Sequence, residues 1–172
     1  MKDKNFFQRM AQLIAIFGLS LLIGNISAFI AMNMLSIPKD TLFFLWQRQF
    51  IDAMVQLGMI KGMWLLFIGN IVIYLCQKNR KNLLLLILSI IVFVLGEFFI
   101  VPLSYETSRI AFQQYEMNQV TSNFLIIKHK EDILGGFNLF ILLIYLIINI
   151  FYKQEENKVK NWLLGVKNAR FS

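Results

Sequence analysis

Four long apolar runs constrain the fold of this chain more than any other feature. They cover residues 11–35, 53–76, 83–103 and 133–152. A helix that crosses the hydrocarbon core of a bilayer needs about 20 apolar residues, and each run is long enough. We therefore predict an all-α fold, an integral membrane bundle of four antiparallel transmembrane helices. An even number of spans places both termini on one side of the membrane.

The composition supports a membrane protein. Apolar residues make up 58% of the chain and charged residues 16%, and 17 residues are Phe. A soluble domain of this size would expose too much apolar surface to remain monomeric. We predict a single four-helix transmembrane domain over residues 1–172, in which residues 153–172 form a basic amphipathic cytoplasmic tail.

The sequence lacks the residues that several common kinds of functional site require. Cys76 is the single cysteine and His129 the single histidine. The chain therefore has no intrachain disulfide, and it supplies neither a multi-histidine metal site nor two histidine ligands to a haem. The sequence also lacks a phosphate-binding glycine loop, a zinc-protease motif and a paired-cysteine motif. We expect no cofactor and no bound metal.

The charges predict the orientation. Eleven of the 17 Lys and Arg residues, but three of the ten acidic residues, lie on the side that holds both termini and the hairpin at residues 77–82. Enrichment in Lys and Arg marks the cytoplasmic side. We expect both termini in the cytoplasm, and we interpret the net charge of +7 as a topology signal rather than a nucleic-acid site. The abundance of Lys, Asn and Ile suggests a multi-pass protein of a bacterial plasma membrane.

The longest connection, residues 104–132, carries an apolar stripe. Ile110, Met117, Val120 and Phe124 fall roughly on one helical face. This pattern favours a short amphipathic helix that lies on the membrane between helices 3 and 4. An irregular loop is the alternative.

Lys61 and Glu97 are the two ionisable residues inside the predicted spans. Such groups cost roughly 2.5–3.5 kcal/mol each at the centre of a membrane helix, so a partner or a function is expected. Both lie roughly 5–6 Å from the middle of their runs, toward the same side of the membrane. Three interpretations stay open: a structural ion pair, a functional proton or ion site, or Lys61 extending to the interface while Glu97 faces a cavity or a partner.

Other polar residues follow helical faces. On the second helix, one face is predicted to carry Gln49, Asp52, Gln56 and Asn70, while Lys61 points to the opposite side. A third face is a seam of small residues, Gly58, Gly62 and Gly69, which lets helices approach closely. The first helix offers a small-residue face at Ser20, Gly24 and Ala28, with Asn25 near mid-membrane. The fourth helix carries a polar stripe of Glu131, Asn138, Tyr145, Asn149 and Tyr152.

Two interpretations of these polar residues remain open: interhelical hydrogen bonds, or a polar cavity between the helices. His129, between two lysines, is expected to be a solvated histidine. The candidate intramembrane residues are Lys61, Glu97, Asn138, Asp52, Gln56, Asn25 and Tyr145, and no catalytic residue is predicted.

The leading functional hypothesis is a non-enzymatic membrane subunit, accessory or immunity-type protein that binds another membrane component. The alternatives are a small oligomeric transporter or channel component that uses Lys61 and Glu97, and a membrane-embedded enzyme for a lipid-like substrate. The expected partners are the lipid bilayer and either a membrane protein or further copies of this chain.

Overall fold

The part of the chain that a computed structural model describes is helical except for the short connection at residues 77–79. That part is the backbone of residues 2–34, 41–117 and 122–168, and the side chains of residues 5–32, 45–114 and 123–152. It contains α1 (Lys2–Met34), α2 (Thr41–Met54), α3 (Ile60–Cys76), α4 (Arg80–Leu95), α5 (Val101–Met117) and α6 (Ser122–Asn168). Two five-residue π-helical segments, Val55–Met59 and Gly96–Ile100, join α2 to α3 and α4 to α5.

Four helical stretches are long and apolar enough to cross a membrane, which confirms the all-helical, four-span prediction. We call them the first to fourth spans: Asn5–Met32, Leu45–Cys76, Arg80–Gln114 and Asn123–Tyr152. Large apolar side chains remain exposed on all four, as lipid contact requires; examples are Phe17, Ile68, Phe98 and Phe140. These properties are those of a multi-pass membrane protein.

The helices extend beyond the apolar runs of the second, third and fourth spans. Helical residues precede residue 53, continue past residue 103 and precede residue 133. Polar residues in these extensions, such as Arg48, Ser104 and Glu131, contact one another inside the bundle. The predicted membrane boundaries of the four runs stay a prediction.

The separate amphipathic helix predicted between helices 3 and 4 is not formed in the described residues. Residues 101–117 continue the third span as α5, and α6 begins at Ser122. Ala111 on α5 and Phe124 on α6 are buried in the bundle. Of the apolar stripe, Phe124 is buried and Ile110 is half-buried, while the side chain of Met117 and the whole of Val120 lie outside the described residues.

Pro102 lies in the first turn of α5, where a proline is tolerated because its missing amide hydrogen is not needed. The π-helical segment Gly96–Ile100 before it joins α4 to α5, and the amide of Val101 donates to the carbonyl of Gly96. The third span therefore continues through a residue that commonly ends a helix.

The predicted glycine seam (Gly58, Gly62 and Gly69) is confirmed as a close contact with α1. A Cβ added at Gly69 would lie 2.8 Å from the backbone nitrogen of Ala15. A Cβ added at Gly18, on the α1 side, would lie 2.5 Å from the backbone nitrogen of Leu66. Only glycine permits the two backbones to pack at this distance.

The small-residue face predicted on the first helix is not the one used. Gly24 is exposed, and a Cβ added there would meet no atom within 4 Å. α1 instead approaches α3 through Ala11, Ala15 and Gly18. The sequence carries both small-residue patterns, and in the structure only the second packs closely against α3.

Aromatic and polar contacts join the remaining spans. Phe93 of α4 packs edge-on against Trp64 at 4.7 Å and stacks with Phe67 at 5.0 Å between ring centroids. The ammonium of Lys81 donates to the backbone carbonyl of Asn149 at 2.8 Å. These contacts hold the third span between the second and the fourth.

Candidate functional site

A buried ion pair lies at the centre of the candidate site. The guanidinium of Arg48 on α2 makes two hydrogen bonds to the carboxylate of Glu131 on α6, at 3.1 and 3.2 Å. The side chains are 4% and 2% exposed. Two charges in such an interior are stable together only when their remaining hydrogen-bonding groups are also satisfied.

Two serines of α5 satisfy the rest of the guanidinium. Its Nε donates to the hydroxyl of Ser108 at 2.6 Å, and one terminal nitrogen donates to the backbone carbonyl and the hydroxyl of Ser104 at 2.7 and 3.0 Å. Ser108 donates in turn to a carboxylate oxygen of Asp52. The polar cluster (Arg48, Asp52, Ser104, Ser108 and Glu131) thus connects α2, α5 and α6.

The cluster contains one cation and two carboxylates. Arg48 is fully engaged with Glu131, while Asp52 lies 4.0 Å from the guanidinium with 20% of its side chain exposed. Because the charges of Arg48 and Glu131 match, the cluster suits a structural role. It stabilises the packing of α2, α5 and α6 at the end of the bundle that carries Ser104 and Ser108.

A pocket begins where the cluster ends. It measures about 480 Å³ including its open mouth, with about 40 Å³ of free interior volume. Glu131, Gly135 and Asn138 line it on α6, and Asn25 lines it on α1. The rest of its wall is apolar: Ile26, Phe29, Ile51, Met54, Val55, Met59 and Ile100.

Asn138 is the unusual polar group of this pocket. Its side chain is completely buried, and neither its amide nitrogen nor its amide oxygen has a hydrogen-bond partner among the described residues. Buried polar groups in native proteins are almost always paired, so the amide of Asn138 is an exception. Both amide atoms lie behind the pocket wall rather than on its surface. Asn25 differs, because its amide donates to the carbonyl of Leu21 at 2.7 Å.

Both π-helical segments contribute to the same pocket. Val55 and Met59 come from the first and Ile100 from the second. Single π-helical turns inside α-helices occur frequently at functional sites, because the extra residue redirects neighbouring side chains. Two such segments at one pocket distinguish it from ordinary interhelical space.

Lys61 and Glu97 lie at one level but are not paired. The sulfur of Met63 packs against Gly96, so positions near 63 and 96 face each other across the second and third spans. No ion pair joins Lys61 to Glu97 among the described residues, and one carboxylate oxygen of Glu97 is buried without a hydrogen-bond partner. Neither side chain lines the pocket.

The side chain of Lys61 is exposed on the outside of the bundle. Gln56 and Gln49 are also exposed, whereas Asn70 is 1% exposed. The single polar face predicted for the second helix is therefore split. The π-helical segment at Val55–Met59 explains this, because its extra residue shifts the register between the residues before it and those after it.

No protein-family model, curated protein or solved structure matches this chain significantly. The site must therefore be interpreted from its own residues.

The polar stripe predicted on the fourth helix faces inward over its first three residues. Glu131, Asn138 and Tyr145 are buried, whereas Asn149 and Tyr152 are half-buried. The hydroxyl of Tyr145 donates to the side-chain oxygen of Asn70 at 3.1 Å, which is an interhelical hydrogen bond of the kind that one interpretation predicted. His129 is exposed, and the described ranges hold no cluster of three or more metal-ligating side chains.

Arg48, Ser104 and Ser108 are the functional candidates that sequence reasoning missed. Their signal is spacing: Arg48 and Asp52 are four residues apart, as are Ser104 and Ser108. Such pairs share one face of a helix. Two polar i, i+4 pairs directly beside the apolar runs could have indicated that the helices extend past the ends of those runs, with these polar side chains facing the interior of the bundle.

Proposed function

We propose that this chain is a non-enzymatic membrane subunit that binds another integral membrane protein through the outward face of its second span. We define that face by Gln56, Leu57, Lys61 and Trp64. The proposal includes an acidic side chain on the partner helix, placed opposite Lys61.

The exposure of Lys61 carries this proposal. Lys61 lies near the middle of the span Leu45–Cys76, on the outside of the bundle, and no described residue pairs with it. A lysine at that depth costs roughly 2.5–3.5 kcal/mol when it faces lipid. A carboxylate on a neighbouring protein removes this cost and also fixes the register of the two helices.

The neighbours of Lys61 suit a helix–helix contact. Leu57 is 64% exposed and Trp64 is 43% exposed, one turn to either side of the lysine. Large apolar anchors around a central polar contact are typical of the residues that dominate binding energy at protein interfaces. Gln56 adds a second group able to hydrogen-bond to the partner.

The topology we propose is antiparallel, with both termini in the cytoplasm of a bacterial cell. Contacts between the first two spans support the antiparallel part, because Gln8 contacts Gln77 while Asn25 lies against Gly58. The basic hairpin at residues 77–82 supports a cytoplasmic location for that end of the bundle.

The transporter alternative has less support from the geometry. A shared ion site would need Lys61 and Glu97 in one cavity, but Lys61 faces outward and neither residue lines the pocket. The enzyme alternative needs reactive groups in the pocket, whose wall is mainly apolar.

A photo-crosslinking scan tests the proposal in native membranes. A photoreactive amino acid is placed at Leu57 or at Trp64, and at the matched control positions Phe140 and Ile147, which are exposed on the fourth span. We expect one discrete membrane-protein adduct at 57 and at 64, none at 140 and 147, and loss of the adduct when Lys61→Met is added.

Three results would overturn the proposal. The first is the absence of a protein adduct at 57 and 64, and the second is the same adduct at the control positions. The third is an adduct between two copies of this chain, which would make it a self-associating protein rather than a subunit of a different assembly.

A further inference from the structure

We infer that a groove on the outside of the bundle binds a zwitterionic phospholipid, whose head group carries both a phosphate and an ammonium. The groove lies between the third and fourth spans, and we call it the outer groove. The residues that line it include Phe98, Phe99, Pro102, Glu106, Lys130 and Ile133. It shares no residue with the outward face of the second span, on which the proposed function rests.

The outer groove is large enough for an acyl chain. Its free volume is about 520 Å³, whereas the pocket at Asn138 offers about 40 Å³. Ligand sites in proteins typically measure about 300–1,000 Å³. Because the groove is open to the outside of the bundle, a lipid can enter it sideways from the surrounding bilayer.

Two opposite charges face one end of the outer groove. Glu106 and Lys130 are both exposed and both line it, but no ion pair joins them among the described residues. They lie at nearly the same level, because their close neighbours in sequence, Ser104 and Glu131, bind the same Arg48. An anion and a cation that line one groove without meeting suit a ligand that carries both charges.

The head group of phosphatidylethanolamine matches these two side chains. The ammonium of Lys130 can donate hydrogen bonds to its phosphate oxygens, and the carboxylate of Glu106 can accept hydrogen bonds from its primary ammonium. Phosphatidylglycerol carries the phosphate but no ammonium, so it would leave Glu106 without a partner. The two side chains together therefore favour a zwitterionic lipid over an anionic one.

The other end of the outer groove is apolar. Phe98, Phe99 and Ile133 are 65%, 54% and 57% exposed. Phe98 precedes Glu106 by eight residues, which corresponds to roughly 12 Å along a helix. The charged end and the apolar end therefore follow the order in which a phospholipid carries its head group and its acyl chains.

The charged end lies where lipid head groups are expected. Glu106 follows the apolar run 83–103 by three residues, and Lys130 precedes the run 133–152 by three residues. Because the apolar runs correspond to the hydrocarbon core, both charges lie at its edge. A partner helix would need an acidic and a basic residue at this level, whereas every zwitterionic phospholipid carries both charges there.

Photolabelling of the full chain in phosphatidylglycerol vesicles tests the outer groove. The probe is a phosphatidylethanolamine with a diazirine in the middle of one acyl chain, and mass spectrometry maps the labelled residues. We expect labelling at Phe98 to exceed that at Phe17 by about fivefold, although the two rings are similarly exposed, at 65% and 60%. A phosphatidylglycerol with the same diazirine should label Phe98 about fivefold less than the phosphatidylethanolamine probe does.

Three exposed positions provide matched charge variants. Glu106→Gln and Lys130→Gln each remove one charge from the outer groove, and each should lower labelling at Phe98 by about threefold to fivefold, as expected for one partly exposed ionic contact. Arg109→Gln removes a charge from α5 outside the groove and should leave the labelling unchanged. Circular dichroism of each variant shows that the helices are intact, so a loss of label reports binding rather than unfolding.

Equal labelling of Phe98 and Phe17 in the wild type would overturn the inference, and a second copy of this chain seated in the groove would give that result. Equal labelling of Phe98 by the two probes would contradict the zwitterionic head group. A loss in Arg109→Gln as large as that in Lys130→Gln would show that the charges act without a specific site. Crosslinking at Leu57 and Trp64 tests the proposed function separately from all of these outcomes.

Discussion

Arg48 and Glu131 are 83 residues apart in the sequence and meet in the interior through two hydrogen bonds of 3.1 and 3.2 Å. This contact connects the beginning of the second span with the beginning of the fourth. Ser104 and Ser108 of the third span complete the hydrogen bonding of the guanidinium, so the same cluster connects three spans.

Removing the cation should destabilise the bundle strongly. Arg48→Leu leaves the carboxylates of Glu131 and Asp52 without their counter-charge, and breaking a buried pair in this way costs about 3–5 kcal/mol. Unfolding of the purified protein in mixed detergent micelles measures the change in the free energy of unfolding.

The double variant Arg48→Leu with Glu131→Leu should recover much of that loss, because it also removes the fully buried carboxylate of Glu131 and leaves only Asp52, which is 20% exposed, without its counter-charge. Lys128→Leu is the control, since its ion pair with Asp132 is partly exposed and is expected to contribute about 0–1 kcal/mol. A loss in Arg48→Leu no larger than in Lys128→Leu would contradict the role of the cluster.

Two glycines of α1 should respond differently to the same substitution. Gly18→Ala places a methyl group 2.5 Å from the backbone of Leu66, which must move, and we expect a loss of roughly 1–3 kcal/mol in the free energy of unfolding. Gly24→Ala meets open space and should be neutral or stabilise the helix by up to about 1 kcal/mol. Equal effects in the same unfolding assay would contradict the close contact of α1 with α3.

The hydrogen bond between Tyr145 and Asn70 should contribute modestly. Tyr145→Phe removes the donor, and interhelical hydrogen bonds in membrane proteins average about 0.6 kcal/mol. A double-mutant cycle with Asn70→Leu isolates the coupling, and Tyr74→Phe serves as the control. A coupling energy of zero would show that the two groups do not interact.

The proposed orientation predicts the activity of topology reporters. Alkaline phosphatase, which is active only outside the cytoplasm, should be inactive when fused after Ser172 or inserted after Asn79, and active when inserted after Asn118. Activity of the fusion after Ser172 would reverse the orientation inferred from the Lys and Arg distribution.

The number of spans followed from the apolar runs because hydrocarbon thickness sets a minimum helix length. The continuation of the helices beyond the apolar runs did not follow, because a charged residue is usually taken to mark the edge of such a run. Arg48 and Glu131 satisfy each other inside the bundle, and the contact between them depends on tertiary structure rather than on local sequence.

The sequence predicted the directions of the buried polar side chains correctly on the fourth span and incorrectly on the second. Asn138 and Tyr145 face inward as a regular helical period predicts, because α6 is uninterrupted. The second span contains the π-helical segment Val55–Met59, whose extra residue shifts the helical period, so Gln56 and Asn70 do not share a face. A helical wheel drawn with a constant angle per residue does not predict such a shift.

In the proposed complex, Lys61 pairs with an acidic side chain of a partner membrane protein. The pairing is measured by the amount of the partner, once identified by crosslinking, that copurifies in mild detergent without a crosslinker. The chains compared are the wild type, Lys61→Arg, Lys61→Met, Lys61→Glu and the control Lys128→Met. We expect full recovery with Lys61→Arg and Lys128→Met, and a loss of about tenfold or more with Lys61→Met and Lys61→Glu. Undiminished recovery of the partner with Lys61→Glu would contradict the claim.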